Sequence, residues 1–298
     1  MADIIVTGAS GMIGSSLCRY ALSQGKSVIA VVRKGSQRLS NIPENVRIIE
    51  CDMDKYDTLD PGEKCGTFFH LAWGKTSAGG RDDAPTQERN IAYILDAVRA
   101  AKRMGCTAFV SVGSQAEYGN TDVPLAPDTP CRPASGYGYA KLAAGGLSRL
   151  MCRELGIRHC HTRILSIYGR HDAPATFIMY LINTLKRGEI PQLTPCTQMW
   201  DYLHEDDAAR ALYLVGEKGH DGAVYTIGSG KARPLSEYAA IIRDMVSPGT
   251  QLDFGAKEFY PHQAMYLCAD ISALTADTGF VPRVAFEDGI RSIIGSEQ

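Results

Sequence analysis

The sequence predicts an α/β protein: a doubly wound parallel sheet carrying most of the chain, with a smaller substrate-binding lobe toward the C-terminus. Three observations predict it. Short β-rich runs alternate with helical patterns through the first half, the signature of βαβ units. The strand-like runs are nearly all apolar, as in 27–32 (SVIAVV), which suits strands buried on both faces. A glycine-rich turn joins the first strand to the first helix.

Taken in order, Ile4–Thr7 reads as the first strand and Met12–Gln24 as a helix with Ile13, Leu17 and Ala21 on one face. Val28–Val32, Val46–Ile49 and Thr67–Leu71 follow as strands. Glu88–Met104 is a long helix, Ala108–Val112 a fifth strand, Tyr137–Leu155 a helix and Arg158–Ile164 a strand. After Tyr168 the rhythm loosens. Pro174–Lys186 reads as a helix, Ile190–Gln198 as an irregular stretch and Asp206–Gly216 as a helix. Val224–Ile227 reads as a strand, with helices over Leu235–Met245 and Phe286–Ile294. The expected division is a cofactor domain over 1–168, rejoined by 204–230, and a substrate lobe from 169–203 and 231–298.

Composition narrows the class. The chain has 298 residues, 45% apolar and 21% charged, with a formal net charge of −2. That is an ordinary globular profile with no electrostatic call for nucleic acid or a membrane surface. No apolar run reaches the ~20 residues of a membrane span. The N-terminus enters a strand pattern without a basic, cleavable leader, so a cytoplasmic protein is expected. Nine cysteines contain no C-x-x-C pair and read as thiols in a reducing compartment; no metal site is expected.

The segment Thr7-Gly8-Ala9-Ser10-Gly11-Met12-Ile13-Gly14 carries the first chemistry. Gly8 permits a tight turn, Gly11 lets backbone N–H groups approach a pyrophosphate, and Gly14 lets helix pack on strand. The helix N-terminus then offers free donors and the positive end of its dipole to the phosphates. This is the cofactor turn of a Rossmann fold. At the end of the second strand the chain reads Val32-Arg33-Lys34, where an NAD enzyme usually has a carboxylate for the ribose 2′-hydroxyl. Arg33 can pair with a 2′-phosphate and Lys34 can add charge. NADP is therefore the favoured cofactor, with NAD the other candidate.

The G-x-x-G-x-x-G spacing after Thr7 resembles the extended short-chain dehydrogenase/reductase family of the NAD-dependent epimerase/dehydratase type, in particular its nucleotide-sugar-modifying members. Tyr137 and Lys141 match that family's Y-x-x-x-K. Four residues apart on a helix, they share a face. A tyrosine of pKa ~10 is a poor proton carrier near neutrality, and a nearby ammonium favours its phenolate. Lys141 can also hold the nicotinamide ribose. Ser114, four residues before Tyr118-Gly119, resembles the family's strand-end serine and would donate to the substrate oxygen.

The resemblance places Thr7, Gly8, Ser10, Gly11, Met12, Ile13, Gly14, Arg33, Lys34, Asp52, Met53, Leu71, Ala72, Tyr137, Lys141 and Ile164 around the cofactor. It places Trp73, Ser114, Gln115, Glu117, Ser166, Arg170 and Trp200 around the substrate. Gln115 and Ala116 stand where 4,6-dehydratases have an acid that removes water, which disfavours dehydration. The run Gly113–Gly119 looks like that of 4-keto-6-deoxy sugar nucleotide reductases. The expected reaction is NADPH-dependent reduction of a keto sugar nucleotide; the alternative is an NAD-dependent 4-epimerase, and a homodimer is expected by resemblance. Three departures concern the diphosphate. Ser166 stands for the family's asparagine and Trp200 for its arginine. A second arginine expected before Asp270 is missing; Tyr260, His262 and Gln263 occupy that stretch.

Overall fold

The computed structural model describes residues 1–76, 78–259 and 263–295. Tyr260 and His262 therefore lie outside the described residues. The elements run β1 (Ala2–Thr7), α1 (Met12–Ser23), β2 (Val28–Val32), β3 (Arg47–Glu50), β4 (Cys65–His70), α2 (Ala84–Arg103), β5 (Ala108–Ser114), α3 (Gly136–Leu155) and β6 (Arg158–Ile164). Then come β7 (Ser166–Tyr168), α4 (Phe177–Lys186), β8 (Gln192–Leu193), β9 (Met199–Trp200), β10 (Tyr202–His204), α5 (Glu205–Lys218) and β11 (Val224–Ile227). The chain ends with β12 (Arg233–Pro234), α6 (Leu235–Val246), β13 (Asp253–Phe254), α7 (Ser272–Thr278) and α8 (Phe286–Gly295).

Seven strands form one sheet in the order β11-β6-β5-β4-β1-β2-β3, with every neighbouring pair parallel. The order reverses between β1 and β4, and there the carboxyl ends of the strands open a crevice for ligands. β2 is buried along its whole length, as an all-apolar central strand requires. One face of the sheet packs on α1 and α5 through Leu17, Ala21, Ala208 and Leu212. The other packs on α2 and α3 through Ile94, Val98, Ala144 and Cys152.

A separate core fills the C-terminal lobe, where α4, α6 and α8 bring Leu181, Ile182, Ala239, Ile242 and Ile290 together. The nine cysteines are all free; seven are buried, and Cys51 and Cys131 are half-buried. Among the described residues, no helix is long and apolar enough to cross a membrane.

The observed elements differ from the sequence reading mainly at their ends. α2 begins at Ala84 rather than Glu88, because the Asp83 carboxylate caps Thr86 N–H at 3.0 Å and Pro85 fits the first turn. β5 runs two residues past Val112 to Ser114, pairing with β6 throughout. The short ladders β7–β10, β8–β13 and β9–β12 were not predicted, since two or three residues carry no readable period.

Candidate active site

The glycine turn sits at the carboxyl end of β1. Gly8 has φ +69, and a Cβ there would meet Ala72 N at 2.8 Å, so only glycine lets this turn touch the end of β4. A Cβ on Gly14 would lie 2.3 Å from the Gly8 carbonyl oxygen, so the third glycine sets how closely α1 approaches the turn. Gly11, the residue before α1, supplies no side-chain cap, and the first turn of α1 holds no acid. The N–H groups there face a ligand with no competing side chain, the arrangement that takes a phosphate. These residues fit a dinucleotide.

Around the cradle, Ser10 Oγ lies 3.2 Å from Ser36 Oγ, and Asn41 donates to the Ser10 carbonyl at 3.1 Å. Arg33 and Lys34 are exposed at the end of β2. Asp52 accepts the Lys34 N–H at 3.0 Å, which joins the ends of β2 and β3. Thr7 plays a different part from the one expected of it. It is fully buried, and its hydroxyl lies 3.0 Å from His70 Nδ1, so its side chain forms the floor beneath the turn. Burial drops the His70 pKa to about 3, so this ring is neutral and the floor carries no charge.

The three expected catalytic side chains converge. Ser114 ends β5, while Tyr137 and Lys141 lie on α3, which Ser135 starts by capping Gly138 N–H at 3.1 Å. Ser114 Oγ accepts the Ala116 N–H at 3.2 Å, and this hydroxyl also hydrogen-bonds the Tyr137 phenol. Lys141 donates to the Val112 carbonyl at 2.6 Å and lies 3.8 Å from the centre of the Trp73 ring. Trp73 in turn donates from Nε1 to Gln87 at 3.0 Å and stands edge-on to Tyr137. Trp73, expected at the substrate, thus braces both members of the pair.

Burial pushes the Tyr137 phenol up; the Ser114 hydroxyl and the charge of Arg81 oppose it without reversing the direction. Burial also brings Lys141 down to about 7. The expectation that Lys141 lowers the tyrosine is therefore corrected: the lysine is itself desolvated, and the cation that acts against the burial of the phenol is Arg81.

Glu117 also departs from expectation. It is fully buried beneath Ser114 rather than facing a substrate. Its carboxylate accepts Ser114 N–H at 2.8 Å and Arg163 Nε at 2.9 Å, and lies 3.1 Å from His161 Nε2. Burial alone would raise this carboxyl, but His161 and Arg163 outweigh it and hold it low. Ser114 and Glu117 together form a capping box that fixes the serine. No other carboxylate occupies the two positions after Ser114, which hold Gln115 and Ala116.

A cavity of about 390 Å³ opens beside this group, lined on the near side by Arg81, Gln115, Ala116 and Ser135 and on the far side by Trp200 and Tyr266. Trp200 Nε1 donates to Ser166 Oγ at 2.8 Å. The two positions that the resemblance would give to diphosphate contacts are thus bonded to each other. Arg170 is exposed after β7, its N–H donating to Glu205, and it does not line the cavity. Ile164 ends β6 with its side chain buried in the core.

Three residues of the site escaped the sequence reading. Gln87 and Asn90 of α2 hold the loop after β4, with Gln87 donating to the Gly80 carbonyl at 3.1 Å and Asn90 bonding Gly74 through both its N–H and carbonyl. That loop carries Arg81, whose guanidinium carbon lies 4.7 Å from the centre of the Tyr137 ring. Its backbone carbonyl accepts the Tyr137 N–H at 2.7 Å. No motif announces these residues; the one signal was that Gln87 and Asn90 fall on the same face of α2 as the apolar Ile94, Ala97 and Val98.

Comparison with known proteins agrees with this geometry. The model of the NAD dependent epimerase/dehydratase family matches residues 4–228. A dTDP-glucose 4,6-dehydratase from Streptomyces griseus is 26% identical over 308 residues, covering 98% of this chain and 92% of the relative. The UDP-glucose 4-epimerase of Thermotoga maritima, solved with UDP-glucose, superposes with a TM-score of 0.87 at 22% identity, covering 98% of this chain and 97% of the other. MoeE5, solved with UDP-glucose and NAD, gives a TM-score of 0.81 at 27% identity, covering 98% and 97%. These relatives are 4,6-dehydratases and 4-epimerases where an enzyme is named, so the likeness to keto-sugar reductases drawn from Gly113–Gly119 is not carried by them.

Proposed function

The chain belongs to the NAD dependent epimerase/dehydratase family of NAD(P)-dependent enzymes, and from that premise we propose that it inverts a secondary alcohol of a nucleotide-linked sugar, acting as a 4-epimerase. One observation carries the choice within the family. The site has the serine, tyrosine and lysine for moving hydride and proton, but Glu117, the carboxylate that follows the serine in sequence, is sealed beneath it and does not reach a substrate from which water would leave.

In this reading the cradle at the N-terminus of α1 would hold the dinucleotide phosphates, and Lys141 would hold its nicotinamide ribose. The bound dinucleotide supplies a reversible hydride acceptor. Tyr137 takes the proton of the substrate hydroxyl as the carbonyl forms, and returns it when the carbonyl is reduced from the other face. Ser114, whose Oγ is oriented by Ala116 N–H, donates its own proton to the substrate oxygen. Trp73 and the buried Glu117 group keep the lysine and the serine in register.

A second reading, reduction of a keto sugar with NADPH, rests on Arg33. An exposed guanidinium at the end of β2 suits a 2′-phosphate, and free NADPH suits a net reduction. One experiment separates the two. The purified protein is incubated with UDP- and dTDP-hexoses, the C4 configuration is followed by NMR, and NAD(P)H absorbance is recorded. Epimer formation without net cofactor change is expected. NADPH consumption with a 4-keto sugar and no epimer would replace the first reading with the second. Arg33→Ala is expected to weaken NADP against NAD by about tenfold or more, read by cofactor fluorescence. The homodimer expected from the family is supported by Tyr139, Leu147 and Leu150, which α3 leaves exposed.

A further inference from the structure

The substrate cavity carries one full charge among its described lining residues, and that charge is positive. Arg81 supplies it; the remaining polar lining consists of amides, hydroxyls and one phenol, such as Gln115, Asn120, Thr121 and Ser135. The neighbours of Arg81 do not neutralise it. Asp82 accepts the Gly136 N–H at 2.7 Å, and Asp83 pairs with Lys75 and caps α2. Arg81 Nε is buried and has no hydrogen-bond partner among the described residues. The guanidinium is half-buried and reaches the Tyr137 phenol, but its Nε donor is unmet and no described carboxylate forms an ion pair with it, a cost that a ligand bringing the counter-charge would remove.

Its location says where on the substrate that counter-charge sits. Arg81 lies over Tyr137, the group that handles the proton of the reacting carbinol. In a nucleotide-linked hexose reacting at C4, the diphosphate hangs from C1, across the ring. C4 is flanked by C3, which bears a hydroxyl, and by C5, whose substituent is the one that can carry a charge. A carboxylate there falls within reach of a guanidinium that covers the tyrosine, and the planar fork of arginine matches it in geometry and charge.

We propose that Arg81 binds the carboxylate of the sugar, so that the substrate is a nucleotide-linked uronic acid rather than a neutral hexose. The inference rests on the epimerase reading and sharpens it to a substrate class. Arg81 then acts twice: its charge bears on the phenol, and its fork fixes the sugar ring with C4 toward Tyr137.

The test uses two probes that differ at one group, UDP-glucose and UDP-glucuronate, with the protein loaded with its dinucleotide. For the wild type, kcat/KM for C4 inversion is expected to favour the uronate by about 30-fold or more, the scale of one charged hydrogen bond. Arg81→Met should bring the ratio of the two substrates to within about threefold, and Arg81→Lys should restore part of it, with melting curves confirming that the variants fold. A wild type that prefers the neutral sugar overturns the proposal. So does an Arg81→Met that slows both sugars equally, which would leave Arg81 acting on the tyrosine alone. Calorimetric binding to loaded Tyr137→Phe separates the layers. Tighter uronate binding by the same factor supports the proposal without turnover, equal binding of both sugars overturns it alone, and no binding of either overturns the nucleotide-sugar reading with it.

Discussion

Lys141 is held where an ammonium is least at home. It is buried at 4% exposure, with one strong acceptor, the Val112 carbonyl, and the Trp73 ring beside it. Burial takes its pKa from 10.5 to about 7. The unfolded chain keeps the proton up to 10.5, whereas the folded chain gives it up above about 7. Folding is thus penalised most at low pH, and stability contributed by this site climbs between those two values. We expect the stability difference between wild type and Lys141→Met to shift toward the wild type by about 2 kcal/mol from pH 7 to pH 9, measured by urea denaturation at each pH. A difference that stays flat would mean that Lys141 ionises as an ordinary lysine. Near neutrality such a lysine is divided between its two forms, which makes the permanently charged Arg81 the steadier influence on Tyr137.

At the scale of elements, the turn and α1 show how glycine sets a distance. The Gly14 Cα faces the Gly8 carbonyl so closely that a methyl group would overlap it at 2.3 Å and meet Ala9 Cα at 2.9 Å. These neighbours are backbone, which cannot rotate away. Gly14→Ala should therefore lift the first turn of α1 off β1, destabilise the protein by about 2–3 kcal/mol and weaken dinucleotide binding, read by thermal melts with and without cofactor. A variant with unchanged melting and cofactor affinity would show that the turn shifts freely. The helices and central strands were legible because each repeats one period over several residues. Their starts were less so: the Asp83 cap and Pro85 move α2 four residues upstream of the apolar pattern. The active-site trio was legible because two spacings, S-x-x-x-Y-G and Y-x-x-x-K, place hydroxyl, phenol and amine. Glu117 misled because its spacing suggests a wall of the site, while its surroundings, His161 and Arg163 from the next strand, pull it into the core.

Across the whole molecule, Asp201 ties the lobe to the sheet. It sits between β9 and β10 with no exposure, and its two oxygens accept the N–H groups of Ser229, Gly230 and Ala269 at 2.8, 3.0 and 3.0 Å. Those residues follow β11 and precede α7, so one carboxylate gathers three separate stretches of chain. Asp201→Ala would leave three buried donors unpaired and should cost about 3–5 kcal/mol, seen as a melting point lowered by roughly 10 °C. A melting point within a degree of the wild type would mean that water replaces the carboxylate. Contacts of this kind are invisible in sequence, because nothing local links residue 201 to 229 or 269. The same holds for Arg81, which reaches Tyr137 only after Gln87 and Asn90 fold the loop between β4 and α2.

The distribution of free thiols turns the molecule into its own reporter. Cys18, Cys65, Cys106, Cys152 and Cys160 are sealed within the layers of the large sheet, Cys196 lies in the core of the lobe, Cys268 is buried ahead of α7, and Cys51 and Cys131 are half-buried. A maleimide added to the native protein therefore meets two sulfurs at first and the others only as a layer parts. Mass spectrometry of the adducts over time would rank the opening of sheet and lobe separately, without adding a dye or changing a residue.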